Sequence, residues 1–329
     1  MTTTLILPSI MLLVGLGLLV WSSDIFIDGA ASTAIHLSIP PLIIGVVVLG
    51  FGTSMPEVVV AILASIDNSP GLAVGNAVGS NIANIGLVLG ITALIAPIVV
   101  KSSLIKRELP VLLAITIGAY LLVLDGNLSL MDGIILVIAL VLVMAWMIKM
   151  NKNVSQADPI HDETTHAIES HAEHTLKKGL ILLAGGLIIL MISAKMMVWG
   201  AVEIAMFFGV SEVVIGLTII AIGTSLPELA AAIAAARKNE ADLMIGNIVG
   251  SNLFNILAVL AVPAILAPSV LDTDVLYLDM PVMIGFTLAM LLLALPRKGK
   301  ASIGTFKGLL LTGGFVAYLV TLYFRTTVA

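Results

Sequence analysis

The chain has 329 residues, 60% of them hydrophobic and 11% charged, with a mean hydropathy of +1.18 and a formal net charge of −5. So little polar surface excludes a soluble domain of this size and implies an integral membrane protein. Cysteine is absent, which excludes disulfides and thiolate metal sites, and the continuous apolar runs exclude a transmembrane β-barrel, whose strands alternate polar and apolar residues.

In chain order, ten segments are apolar over the roughly 20 residues that a spanning helix needs. They lie near 5–23, 38–66, 72–98, 109–124, 129–149, 179–199, 209–236, 243–268, 277–295 and 303–323. The first follows "MTTT", which carries no basic residue, and no small-residue cleavage site closes it. It therefore reads as a retained span and not a signal peptide. Trp21, Trp146 and Trp199 fall near span ends, as interfacial anchors do. Between the fifth and sixth spans lies a long polar stretch with "HDETTHAIESHAEH" at its centre, holding His161, His166, His171 and His174. His171 and His174, beside Glu169 and Glu173, have the spacing of a cytosolic metal or pH sensor; the plainer reading is a solvated loop.

Numbering the loops alternately between two faces sends thirteen basic residues to one face: Lys101, Lys106, Arg107, Lys149, Lys152, Lys177, Lys178, Arg237, Lys238, Arg297, Lys298, Lys300 and Lys307. The other face receives only Arg325, and Lys195 falls within the sixth span. The positive-inside rule makes the basic face cytoplasmic and puts both termini outside.

The chain also repeats itself. "GTSMPE" at Gly52–Glu57 returns as "GTSLPE" at Gly223–Glu228, an offset of 171 residues. At that offset Ile44–Gly45 matches Ile215–Gly216, "GNAVGSNIANI" (75–85) matches "GNIVGSNLFNI" (246–256), and Pro110–Val111 matches Pro281–Val282. Asp24 and Lys195 also align and carry opposite charges that can pair between the halves or snorkel to the surface. The expected organisation is a first membrane repeat over 5–149, a His- and acid-rich cytoplasmic linker over 150–178, and a second repeat over 179–323. Five spans per repeat is an odd number, so the second copy enters the membrane from the opposite side. The predicted fold is all-α, with ten transmembrane helices as two inverted-topology five-helix repeats and broken helices at a central ion site, the pattern of secondary transporters.

The motifs state what that centre can do. Pro56 cannot donate to a helix and clashes with the preceding turn, Gly52 permits unusual backbone, and Thr53 or Ser54 can cap the half-helix that follows. The expected break frees carbonyls around Gly50–Gly52 and Ala221–Gly223. A carboxylate at mid-bilayer costs a few kcal/mol or more, so Glu57 and Glu228 need a compensating cation or proton. Asn76, Ser80 and Asn84 share one helical face, and Asn247, Ser251 and Asn255 repeat it. Gly75/Gly79 and Gly246/Gly250 are small-xxx-small pairs that permit close helix approach. Carboxylates, hydroxyls, amide oxygens and freed carbonyls form an all-oxygen set suited to hard cations such as Ca²⁺ and Na⁺.

Through the paired "GTS-x-PE … GN-x-x-GSN-x-x-N" motifs, and over nearly its whole length, the chain resembles the sodium/calcium exchanger family of the calcium:cation antiporter superfamily, in its prokaryotic form. The resemblance implies that Glu57 and Glu228 are the central Ca²⁺ ligands. It further implies that Thr53, Ser54, Thr224, Ser225, Ser80 and Ser251 surround them as Na⁺ ligands, completed by the carbonyls of Gly50 and Ala221. Potassium-dependent relatives, and some prokaryotic ones, carry an aspartate where this chain has Asn255. The neutral pair Asn84 and Asn255 therefore argues against K⁺ co-transport, while "GTS-x-PE" in place of "GN-x-x-E" favours Na⁺ over H⁺ as coupling ion. The expected activity is extrusion of Ca²⁺ from the cytoplasm in exchange for Na⁺ by alternating access, in the plasma (inner) membrane of a prokaryote. A Ca²⁺/H⁺ antiporter and a passive cation channel are the alternatives. No enzyme activity, resident cofactor, nucleic acid or obligate protein partner is expected; Ca²⁺ and Na⁺ enter as transported substrates and the lipid bilayer as solvent.

Overall fold

The computed structural model describes residues 2–37, 39, 41–100, 102–152, 175–208, 221–296 and 301–328. The histidines of the polar stretch, the pair Ile215–Gly216, and the basic residues Lys101, Arg297, Lys298 and Lys300 lie outside the described residues.

The protein is helical. Helix α1 spans Thr2–His36, and α2 runs over 41–53, with a π-helical stretch at Ile44–Leu49 leading into Gly50–Thr53. After a break at Ser54 comes α3, Met55–Ile66. Helix α4 is Pro70–Ile95, α5 is Ser102–Lys106, α6 is Glu108–Leu122 and α7 is Leu130–Lys152. In the second half, α8 is Leu176–Phe207, α9 Ala221–Thr224, α10 Leu226–Arg237, α11 Ala241–Leu266, α12 Val275–Ala294 and α13 Thr305–Val328. Among the described residues, seven helices are long and apolar enough to cross a membrane, and eight if the bent pair 44–66 counts as one span. Two expected spans fall outside that number for stated reasons. Helix α6 is only 15 residues long, and the segment 209–236 is described only from Ala221 onward.

Several local geometries repeat at the 171-residue offset. The breaks at Ser54 (φ −84°, ψ 5°) and Ser225 (φ −89°, ψ 6°) match. Asn68 (φ 56°) and Asn239 (φ 61°) both take the left-handed conformation that asparagine tolerates in tight turns. Each turn folds the half-helix carrying a glutamate back against the helix carrying the GSN motif, so α3 packs on α4 and α10 on α11. π-Helical segments begin at Asn84 and at Asn255; such insertions re-aim side chains and gather at functional sites.

The first and sixth expected spans are much longer than their hydropathy suggested. With 35 and 32 residues, α1 and α8 measure about 50 Å against a hydrocarbon core of about 30 Å, so both lie steeply tilted or project beyond it. They pack on each other along their length, at glycines whose Cβ would collide with the partner's backbone. At Gly186 it would sit 2.7 Å from the Phe26 nitrogen, and at Gly15 2.9 Å from the Met197 nitrogen. Asp24 and Lys195 form no ion pair among the described residues. Instead, Asp28 of α1 binds Lys238, the residue that follows α10, at 2.7 Å.

The reading of the chain as all-α needs one addition. Among the described residues, four two-residue strands form two antiparallel clasps, β1 (Ile98–Val99) with β4 (Ser302–Ile303) and β2 (Asn127–Leu128) with β3 (Ser269–Val270). Each joins a loop of the first half to a loop of the second.

Candidate functional site

The two breaks meet at the centre of the bundle. Helix α2 can lie on α11 because backbone faces backbone: a Cβ on Gly45 would fall 2.8 Å from the Leu243 carbonyl oxygen, and one on Gly50 2.7 Å from the Gly250 Cα. Glycines on one side meet glycines on the other, which brings Thr53 under Asn247 and Ser251. The predicted close approach therefore holds at Gly246 and Gly250. At Gly75 and Gly79, by contrast, an added Cβ meets nothing within 4 Å, and the matching partner segment, 209–220, lies outside the described residues.

Glu57 and Glu228 are both fully buried. The Ser54 hydroxyl donates to Glu228 Oε1 at 3.3 Å, from one half of the chain to the other. Ser80 donates to Glu57 Oε1 at 3.5 Å. The second carboxylate oxygen of each, Oε2, has no hydrogen-bond partner. A buried carboxylate that is only half satisfied demands a positive charge or a proton.

Around the carboxylates lies a shell of neutral oxygens. Thr53 Oγ1 is 3.0 Å from the Leu49 carbonyl, 3.1 Å from Asn247 Oδ1 and 3.2 Å from Ser251 Oγ. Ser251 also donates to the Gly50 carbonyl at 3.4 Å. In the second break Ser225 is buried with an unpartnered hydroxyl, and Thr224 is half-buried. Ala221 opens α9. Asn84 and Asn255 are fully buried, and neither amide has a partner for its oxygen or its nitrogen. The π-segment carrying Asn84 packs on α10, the helix of Glu228, and the segment carrying Asn255 packs on α3, the helix of Glu57.

Three expectations about the break need correcting. The chain does bend there, by 44°, but neither Ser54 nor Ser225 caps the following half-helix with its side chain. Ser54-Met55-Pro56-Glu57 has capping-box spacing, yet Pro56 at the second helical position removes one of the two N–H groups a cap would serve. The hydroxyl turns to Glu228 instead. Gly52 does not supply unusual backbone: among the described glycines only Gly126 has positive φ. Its role is clearance, since a Cβ there would stand 2.9 Å from the Leu187 side chain. The Gly50 carbonyl is not wholly freed either, for it accepts the Ser54 N–H at 3.2 Å and keeps one lone pair for the site.

Two residues that the sequence placed on the motif face without counting them as ligands sit inside this network. Asn247 holds Thr53, and Asn76 donates through Nδ2 to the Glu57 carbonyl at 3.2 Å. Their helical register was the signal that could have found them.

Known proteins resemble this chain over nearly its whole length. CaxA of Alkalimonas amylolytica is 44% identical over 97% of this chain and 99% of its own length. Inner membrane protein YrbG of Escherichia coli K12 is 40% identical over 98% and 99%. A structure of the sodium-calcium exchanger NCX_Mj, soaked with Na⁺ and Ca²⁺, superposes with a TM-score of 0.82 at 34% identity, covering 96% of this chain and 99% of that one. The sodium/calcium exchanger protein family is matched over residues 7–149 and 178–324, so both breaks and both glutamates lie within the match, and the chain belongs to that family.

Proposed function

We propose that this membrane antiporter exchanges Na⁺ for Ca²⁺ and carries Ca²⁺ out of the cytoplasm. The observation that carries the proposal is the convergence of Glu57 and Glu228, fully buried, each with an unpartnered oxygen, inside a shell of hydroxyls and amides. Two carboxylates balance one divalent cation, and an all-oxygen shell is what a hard cation accepts on leaving water. Ca²⁺ is held by Glu57 and Glu228. Na⁺ ions take Thr53, Ser54, Ser251 and the Gly50 carbonyl on one side, and Thr224, Ser225, Ser80 and the Ala221 carbonyl on the other, with Asn84 and Asn255 completing the centre. The carboxylates are shared, so filling by one ion excludes the other. Movement that is allowed only with the charges compensated then couples the two fluxes.

The architecture proposed for this cycle is ten spans in two inverted repeats, 5–149 and 179–323, joined by the linker 150–178, with both termini outside. The strand clasps support the count. Antiparallel partners share a membrane face, so an even number of crossings separates them; six expected spans lie between β1 and β4, and four between β2 and β3. The charge asymmetry of the loops supports the orientation. The similarity to a protein named for the inner membrane supports a prokaryotic plasma membrane.

Reconstituted vesicles test the reading. Trapped Ca²⁺ is expected to exchange only against a Na⁺ gradient. Exchange driven by a pH gradient would instead identify a Ca²⁺/H⁺ antiporter, and uncoupled leak a channel.

A further inference from the structure

We propose that Asn247 is a positioning residue that turns the Thr53 hydroxyl toward or away from a bound cation. The proposal rests on the ion site described above and extends it to a residue outside the ligand shell. Thr53 has one hydroxyl hydrogen; Ser251 Oγ, 3.2 Å away, can give or take a hydrogen, and two groups that only accept compete for it, the Leu49 carbonyl at 3.0 Å and Asn247 Oδ1 at 3.1 Å. The first is the ordinary partner of a threonine in any helix, four residues back. The second comes from the other half of the chain, at a fully buried position. A hydroxyl with two acceptors is a two-position rotor, and each position aims its lone pairs differently.

Cation binding makes that choice consequential. Ser251 can give its hydrogen to the Gly50 carbonyl, 3.4 Å away, or to Thr53 Oγ1, 3.2 Å away. A cation that occupies the Gly50 carbonyl removes the first option, so Ser251 donates to Thr53. Thr53 must then present its remaining lone pair to the cation and send its own hydrogen elsewhere, which Asn247 Oδ1 permits.

Two features fit this role better than simple packing. Asn247 is anchored by rigid backbone: its neighbour Gly246 faces the Leu42 carbonyl oxygen, with an added Cβ only 2.7 Å away. The amide therefore cannot drift from Thr53. Its Nδ2, moreover, is buried without a partner, a cost that a merely space-filling leucine would avoid.

The test is a double-mutant cycle in vesicles with Asn247→Leu, Thr53→Val and the pair, reading half-saturation by Na⁺ and by Ca²⁺ separately. Asn247→Leu is expected to raise Na⁺ half-saturation by about tenfold, the worth of one hydrogen bond, with a smaller change for Ca²⁺, which is held by the carboxylates. The pair should be no worse than Thr53→Val alone, because Asn247 acts through Thr53. Additive losses, or equal losses for both ions, would overturn the proposal. If leucine at 247 prevents insertion, Asn247→Ser, too short to reach Thr53, takes its place in the cycle. Glu57→Gln is run alongside: full Ca²⁺ exchange in that variant would refute the ion site itself, whereas its loss together with an additive cycle refutes only the role of Asn247.

Discussion

Gly250→Ala is the sharpest test of how the site is built, because it adds one methyl group to a residue that binds nothing. The new Cβ would lie 2.7 Å from the Val46 Cα and nearer still to the Val46 carbonyl oxygen. Both are backbone atoms of α2 and cannot rotate aside. Ordinary contact begins at 3.4 Å, so to clear the nearer carbonyl oxygen the two helices must part by about 1 Å, at an overpacking cost of about 1–3 kcal/mol. Ser251 is the next residue, and its contacts with Thr53 and the Gly50 carbonyl, at 3.2 and 3.4 Å, would then exceed hydrogen-bonding range. Cation ligands tolerate only a few tenths of an ångström, so Na⁺-driven Ca²⁺ uptake is expected to fall between about 10- and 100-fold while the protein still inserts. The assay is uptake of radioactive calcium into vesicles, with thermal melting in detergent as the stability readout. Gly185→Ala is the control: nothing lies within 4 Å of its Cβ, and alanine in a helix gains about 0.5–1 kcal/mol over glycine. Parent-like uptake and melting in Gly250→Ala would refute backbone contact as the positioning principle.

Removal of either central charge should be more severe and ion-selective. At an effective dielectric constant of about 20, a unit charge about 4 Å from a divalent ion is worth about 8 kcal/mol, against about 4 for a monovalent one; even a third of that predicts at least a hundredfold loss of Ca²⁺ affinity in Glu57→Gln and in Glu228→Gln, measured by isotope binding. Asn255→Asp adds a third carboxylate to a centre with two, so altered ion selectivity or K⁺ sensitivity is expected in exchange assays, and an unchanged profile would discredit the argument from the neutral asparagines. The Asp28–Lys238 pair is only partly buried, with side chains 34% and 25% exposed, so a thermal-stability cycle of Asp28→Asn and Lys238→Met should give a coupling of about 0.2–1 kcal/mol that shrinks with salt.

Much of this site was legible because a membrane makes every polar residue costly. A proline and a glutamate inside an apolar run stand out, and their return at a fixed offset turns an anomaly into a pattern. What stayed hidden depends on three-dimensional meetings that leave no periodic trace. The Ser54 hydroxyl reaches Glu228, 174 residues away, and nothing local separates that outcome from an ordinary cap. Gly52 looked like a hinge and serves as clearance for Leu187, because a glycine that yields space and one that bends are the same letter. The π-segments at Asn84 and Asn255 are stabilised by packing and not by composition. Helix α1 outran its apolar core since Asp24 and Asp28 interrupt hydropathy without breaking a helix.

The strand clasps also carry a schedule. Ile98 pairs with Ile303, and Leu128 with Ser269, so each strand made early waits for a partner made late. At a synthesis rate of about 5–20 residues per second, roughly 200 residues of delay leave β1 open for about 10–40 seconds. During that interval the first half is inserted but unlatched, with a hydrogen-bonding edge exposed at the interface. Completion comes only with the last hairpin, so a nascent chain has no finished form until nearly its final helix, and a ribosome that stalls after α12 would release a molecule with all its ion ligands and one clasp still open.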